Sequence, residues 1–215
     1  MIFPDRTEAG RALAVSVAER VAGERALVLA LPRGGLPVAA PVAERLGADL
    51  DIVVARKIGP PGHPEFGVGA IAEDGPPVYD PENLRHAGVT ERDLTRIVAA
   101  ERAELGRRIR RYRGDRPAPR VTGRVVVLID DGLATGVTAH AALRWVREHR
   151  PGRLILAVPV CAPQARDALA PEADEVVSLL APEPFHAVGR WYEDFAQLTD
   201  EDVDAVLSRF HPAGV

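Results

Sequence analysis

The sequence predicts an α/β fold, a mostly parallel twisted sheet with helices on both faces. Three observations predict it. Short, mostly apolar runs recur at 26–31, 50–55, 125–129, 154–160 and 175–180; a strand covered on both faces reads this way, without the polar alternation of a half-wet strand. Helical patterns separate most of these runs, as βαβ units require. The 215 residues are 47% hydrophobic and 27% charged, enough to build one sizeable core. No internal repeat and no linker divides the chain, so a single domain over 1–215 is expected.

The elements follow in chain order. Residues 7–22 place Ala12, Val15, Ala18, Glu19 and Ala22 at helical spacings, an amphipathic first helix ending near Gly23. The apolar run 26–31 reads as a buried strand, followed by Arg33-Gly34-Gly35 and a helix over 37–46. A second strand spans 50–55 and ends in Arg56-Lys57. GPPGHPEFGVG at 59–69 is a loop rich in glycine and proline, and 70–73 with 77–79 predicts a hairpin around Asp74-Gly75. The longest helical pattern is 90–112, carrying Leu94, Ile97, Val98, Leu105, Ile109 and Tyr112 on one face with Thr90 as N-cap. Strand 125–129, helix 137–150, strand 154–160, helix 164–169 and strand 175–180 complete the alternation. A last helix starts at Thr199, which forms a capping-box-like pair with Asp202.

Charge and composition exclude several classes. Formal net charge is −4, which argues against a general polyanion-binding surface. Nine arginines lie within 101–124, a cluster that reads chiefly as a solvated helix end and secondarily as a surface for RNA or a phosphorylated partner; 193–204 holds six acids and no base. The lone cysteine, Cys161, lies in an apolar run, permits no intrachain disulfide and reads as core packing. The six histidines show no metal-ligand spacing; His63 and His186 are the two to test as proton carriers. No run of 18 apolar residues exists, and MIFPDRTEAG carries acids where a secretory leader carries bases, so a cytoplasmic location is expected. Among 26 arginines the one lysine is Lys57, which suggests that a compact ammonium is wanted there.

In parallel sheets ligands bind beyond the carboxyl ends of the strands. Three such ends carry chemistry: Arg33-Gly34-Gly35, Arg56-Lys57, and 130–138. The last is the most specific. In VVVLIDDGLATGVT a buried strand feeds two carboxylates, then a small-residue loop, then a helix whose first amides have no internal partner. Gly132, Ala134 and Gly136 let the backbone approach an anion, and Thr135 and Thr138 add hydroxyls. Asp130 and Asp131 would repel a phosphate unless a cation or hydroxyl donors lie between, which a ribose diol supplies, with or without Mg2+.

These residues resemble the type I phosphoribosyltransferases, whose signature is a hydrophobic strand, two acids, a Thr-Gly loop and a helix. The resemblance implies a Mg2+-dependent transferase that moves ribose 5-phosphate from phosphoribosyl pyrophosphate to a nitrogenous base and releases pyrophosphate. It assigns the ribose hydroxyls to Asp130 and Asp131, and the 5-phosphate to the loop through Gly132, Leu133, Ala134, Thr135, Gly136, Val137 and Thr138. It assigns the pyrophosphate to Arg33, Gly34, Gly35, Arg56 and Lys57. The groups expected to carry catalysis are Arg33, Lys57, Asp130 and Asp131, under a mobile lid at 59–75. PEPFHAVGRWYEDF at 182–195 is similar to the hood of the hypoxanthine branch, a small C-terminal element over about 181–198. Phe185 and Trp191 could there stack on a base, Ala187 offer backbone hydrogen bonds, and Asp194 join Asp130 and Asp131 at a metal. Ala134 stands where enzymes acting on 6-oxopurines carry an aspartate, and DDGLATGVT is nearer to the adenine branch, so the acceptor base stays open. Small-molecule substrates and a homo-oligomer are expected, without membrane or nucleic-acid partners. A nucleotide-sensing RNA-binding regulator on the same fold and a phosphoribosyl pyrophosphate hydrolase are the alternatives.

Overall fold

The structure is a computed structural model and describes residues 2–211. Five strands form one parallel sheet in the order β2-β1-β6-β7-β8 (β1, Ala26–Ala30; β2, Asp49–Ile52; β6, Val125–Ile129; β7, Arg153–Val160; β8, Glu175–Leu180). β3 (Ala55–Ile58), β4 (Gly69–Ala72) and β5 (Val78–Tyr79) form a separate antiparallel sheet. Helices α1 (Arg6–Val21), α2 (Gly35–Leu46), α3 (Pro81–Ala87), α4 (Thr95–Arg113), α5 (Val137–Glu148), α6 (Pro163–Leu169) and α7 (Asp200–Phe210) surround them.

The apolar strands are continuous because each face has its own core. Along β1, Ala26, Val28 and Ala30 join one cluster while Leu27 and Leu29 join the other; along β6, Val125, Val127 and Ile129 oppose Val126 and Leu128 in the same way. The period of two thus sends successive apolar side chains to opposite faces. α1, α2 and α7 cover the first face, and α5 and α6 the second.

α1 is rotated from its predicted register. Its buried residues are Ala9, Gly10, Leu13, Ala14, Val17 and Val21, whereas Ala12, Val15 and Ala22 are exposed. The reason is volume. Leu13 and Val17 bury more apolar surface than a row of alanines, and Gly10 lets α1 ride directly on the backbone of α2, where an added Cβ would overlap the Val38 carbonyl. Gly10→Ala is therefore expected to cost about 1–3 kcal/mol, the usual range for overpacking. Urea unfolding measures it, and a change below a few tenths would contradict the packing described.

Two further expectations are corrected. The run 50–55 is not one strand: the chain leaves the parallel sheet after Ile52 and starts β3 at Ala55, so Arg56 and Lys57 lie inside an antiparallel strand paired with Ile71 and Ala70. Apolar periodicity cannot show that change of partner. The 90–112 helix begins at Thr95, because the Thr90 amide and hydroxyl bond the Asp93 carboxylate (2.8 and 2.7 Å) in a local turn ahead of it. The short α3, capped by Asp80, has no counterpart in the sequence reading.

The connections fix where a ligand can enter. From β1 the chain turns through α2 to β2 on one side, and from β6 through α5 to β7 on the other. The loops after the neighbouring strands β1 and β6 therefore diverge, leaving a crevice at the carboxyl ends of the strands. Those loops are 31–34 and 130–136.

Candidate active site

The two loops meet at Asp130 and Asp131. The backbone amide of Leu31 donates to the Ile129 carbonyl at 2.9 Å, extending the β1–β6 ladder to the mouth of the crevice. A Cβ on Gly34 would overlap Oδ2 of Asp131, and one on Gly35 would lie 2.6 Å from the Ile129 carbonyl oxygen. Only glycine lets the first loop lie this close to the second.

Each carboxylate has one oxygen committed and one available. Asp130 Oδ1 accepts from the Asp131 amide (2.9 Å), and Asp131 Oδ2 accepts from Nε of Arg6 (2.8 Å). Among the described residues no protein donor meets Asp130 Oδ2 or Asp131 Oδ1. Two adjacent carboxylate oxygens without donors suit a vicinal diol or a hard divalent cation. Burial holds both carboxyls above their ordinary range, and the neighbouring Asp131 charge raises Asp130 further, while Arg6 works against the rise at Asp131. The Tyr192 hydroxyl donates to the Asp131 carbonyl at 2.6 Å, and burial keeps that phenol protonated.

Beyond the carboxylates the chain becomes a cradle of donors. The amides of Ala134 through Ala139 meet no protein acceptor among the described residues, and Gly136, at φ 73°, turns them into the first turn of α5. An α-helix leaves its first amides unpaired, and the axial dipole favours an anion in front of them. Thr135 and Thr138 stand in this stretch. Leu133 does not: its side chain is buried, its amide donates to the Val160 carbonyl and its carbonyl accepts from Ala162. It anchors the loop to β7. Gly132 passes beneath the hood, where a Cβ would meet Val188 at 2.6 Å.

The three predicted cations are dispersed. Arg33 leans on α4 and α7: Nη1 donates to the Leu198 carbonyl (2.7 Å), and Nε lies 3.4 Å from the Tyr112 hydroxyl and 3.1 Å from Asp200. Arg56 pairs with Glu101 of α4 (2.6 Å). Lys57 points to the other face of β3, donating to the Glu65 carbonyl (2.9 Å) beside Gly67, whose added Cβ would lie 2.8 Å from Lys57 and 3.2 Å from Val137 at the start of α5. Lys57 thus flanks the anion cradle while Arg56 is held away from it.

The segment after β8 folds back over these loops. Phe185 packs against both adjoining clusters, Ala187 is exposed, and Trp191 accepts from the Phe3 amide through its carbonyl (2.8 Å). Asp194 Oδ1 accepts from the Ala196 amide, and Asp194 lines a groove with Thr7, Pro37 and Asp202, one that does not include Asp131. Among the described residues no group of three or more His, Cys, Asp or Glu side chains is placed to hold a metal. His63 and His186 are exposed.

Arg6 and Tyr192 were not found from the sequence as partners of Asp131, since they lie 125 and 61 positions from it and the hood segment that contains Tyr192 gives that residue no role. The arginine cluster at 101–124 is largely neutralised: six of the nine pair with carboxylates, namely Arg107, Arg108, Arg111, Arg113, Arg116 and Arg124. No helix among the described residues is long and apolar enough to cross a membrane.

Residues 4–189 match the model of the phosphoribosyl transferase domain. Two Mycobacterium tuberculosis proteins, provisionally named phosphoribosyl transferases, are 42% identical over 98% of this chain; the chain spans 47% of their length, about half. The crystal structure of TT1426 from Thermus thermophilus is 46% identical, with a TM-score of 0.81 over 98% of this chain and 99% of that one. A hypothetical protein from Neisseria gonorrhoeae, solved with bound ppGpp, shares the fold at 16% identity, with a TM-score of 0.53 over 97% of this chain and 94% of its own.

Proposed function

The chain belongs to the phosphoribosyl transferase domain family, and from that premise we propose that it transfers ribose 5-phosphate from phosphoribosyl pyrophosphate to a nitrogenous base, with release of pyrophosphate. One observation carries this reading. Among the described residues, two carboxylate oxygens without donors, on Asp130 and Asp131, lie two residues ahead of six unpartnered amides, which matches a sugar diol followed by its phosphate.

In this reading Asp130 Oδ2 and Asp131 Oδ1 accept from the ribose hydroxyls, and the amides from Ala134 onward, with Thr135 and Thr138, hold the 5-phosphate. Gly34 brings the first loop against Asp131, and the diphosphate is proposed to lie on that side of the crevice. Departure of that group leaves positive charge on the sugar, which the half-buried carboxylate pair is proposed to stabilise without reorganising. Mg2+, which the family implies, would neutralise diphosphate charge, with Asp130 and Asp131 as the residues to hold it directly or through the ribose hydroxyls. Phe185, Ala187 and Trp191 remain the residues of the hood proposed to meet the base. The 59–69 loop, tied to Lys57 through Glu65, is proposed to exclude water during transfer.

The test is pyrophosphate release from phosphoribosyl pyrophosphate and Mg2+ with a panel of purine and pyrimidine bases. Release that requires one class of base is expected. Release without any base would replace transfer by hydrolysis, and no consumption of the donor would overturn the reading. The alternative of RNA binding through 101–124 is the weaker reading, because six of the nine arginines there pair with carboxylates.

A further inference from the structure

The segment ahead of α1 is fastened to the hood. The Phe3 amide donates to the Trp191 carbonyl (2.8 Å), and the Glu193 and Asp194 amides donate back to the Phe3 and Pro4 carbonyls (2.8 and 2.9 Å). The buried Phe3 ring lies 5.6 Å from that of Tyr192. Asp5 then caps α1 by accepting from the Glu8 amide at 2.8 Å, which fixes Arg6 as the first residue of the helix. A cation there faces the positive end of the helix dipole, so α1 itself gains nothing from Arg6. Its partners lie elsewhere. Nε donates to Asp131 Oδ2 (2.8 Å), Nη1 donates to the Ala196 carbonyl (3.0 Å), and the guanidinium lies 3.8 Å from the centroid of the Phe195 ring. Tyr192 holds the carbonyl of the same aspartate (2.6 Å), and its ring stands 5.1 Å from Phe195.

We propose that Arg6 is a positioning residue for the sugar site: through Asp131 it aims Oδ1 at the ribose diol, and through Phe195 and the Ala196 carbonyl it locks that carboxylate to the hood. The proposal rests on the transferase reading and adds to it a residue outside the strand, the acids, the loop and the helix that make up the signature. Asp131 is gripped at its side chain by Arg6 and at its backbone by Tyr192, and the 3–6 strap brings those two residues together. With Oδ2 committed, the carboxylate cannot turn without breaking the Arg6 bond, so Oδ1, which has no donor among the described residues, stays presented. The role needs a guanidinium. A planar fork meets a carboxylate and a carbonyl while lying flat on a ring, whereas the compact ammonium of lysine cannot do all three at once.

The experiment is calorimetric titration of the full chain with ribose 5-phosphate and, separately, with inorganic phosphate, which has no diol. Arg6→Ala is expected to weaken ribose 5-phosphate about tenfold, as loss of a charged hydrogen bond does, and to leave inorganic phosphate within about twofold. Arg6→Lys is expected to show an intermediate loss. Phe195→Leu, which keeps Arg6 but removes the ring beneath it, is expected to lose about two- to fivefold for ribose 5-phosphate alone; with Arg6→Lys it carries the test if Arg6→Ala fails to fold. Arg11→Ala removes an equal charge from the exposed side of α1 and serves as control. A merely structural role would weaken both ligands equally; that result, or unchanged ribose 5-phosphate binding, overturns the proposal. Amide hydrogen exchange reads the hood independently: in Arg6→Ala the Glu193 and Asp194 amides should exchange about tenfold faster, and unchanged exchange overturns the lock between Asp131 and the hood. If the unaltered chain binds ribose 5-phosphate no more tightly than phosphate, the transferase reading falls and the aim at the diol falls with it, while exchange still decides the lock.

Discussion

Replacing Asp130 and Asp131 together by asparagine is expected to lower kcat/KM for phosphoribosyl pyrophosphate by about 10²–10⁴-fold. Each variant side chain loses a charged acceptor for one hydroxyl, and such bonds contribute about 1.5–3 kcal/mol apiece. The fold should persist, because asparagine has the shape of aspartate. Asp130→Asn alone should melt higher than the unaltered chain at pH 7. The sign follows from the raised carboxyls: a buried group that holds its proton more tightly when folded stabilises the fold below the ordinary carboxylate range. That contribution is lost as pH rises through the raised value, so at neutral pH the Asp130 charge is a net cost to folding. Asparagine removes it, and each kcal/mol recovered raises Tm by about 2–4 °C in a chain of this size. Thermal melts at pH 5 and pH 7 should show the advantage of Asp130→Asn growing with pH. A variant that is both inactive and less stable at pH 7 would refute the account.

Glu73→Ala is expected to cost about 3–5 kcal/mol of stability, the largest folding effect of any single change here. Arg113 and Glu73 form a bidentate pair (2.9 and 3.0 Å) in which both side chains are 5% exposed, and Arg113 also donates to the Ile52 carbonyl at 3.1 Å. Glu73 Oε1 accepts from the Val54 amide at 2.8 Å. Removing the carboxylate leaves a buried guanidinium and a backbone donor unpaired. Among the described residues Arg113 Nε already has no acceptor, so little slack remains. Glu73→Leu combined with Arg113→Met should recover most of the loss, since replacing a whole buried pair by apolar groups is often neutral. Urea unfolding of the three proteins decides it; a loss below about 1 kcal/mol in Glu73→Ala would mean the pair is not what joins β2, the β3–β4 hairpin and α4. The pair also sets the base of the hairpin that carries Lys57, so Glu73→Ala should weaken donor binding before it unfolds the chain.

Much of the site was legible in the order of residues. Val125 to Thr138 reads as strand, carboxylates, small-residue loop and helix, and that local order is what the structure contains, with the donors of the loop unpaired. The capping box at Thr199 and Asp202 was equally legible, being a contact over three residues. The part that was not legible concerns partners chosen at long range. Arg56 and Lys57 were expected to act together at a strand end, but alternation in β3 sends one to Glu101 and the other toward Val137. Nothing near them in sequence specifies that β3 leaves the parallel sheet.

The sequence by itself determined the parallel α/β architecture, the family signature and the Asp130–Thr138 loop, because hydrophobic period, turn residues and helix starts are written within windows of a few residues. The tertiary structure alone decided which cations meet the carboxylates. Arg6 reaches Asp131 across 125 positions of chain and Tyr192 across 61, contacts set by which helix packs on which face of the sheet and by where the hood folds back. Guanidinium side chains look alike in sequence; their charge acquires a role only when packing fixes the acceptor that each one spends.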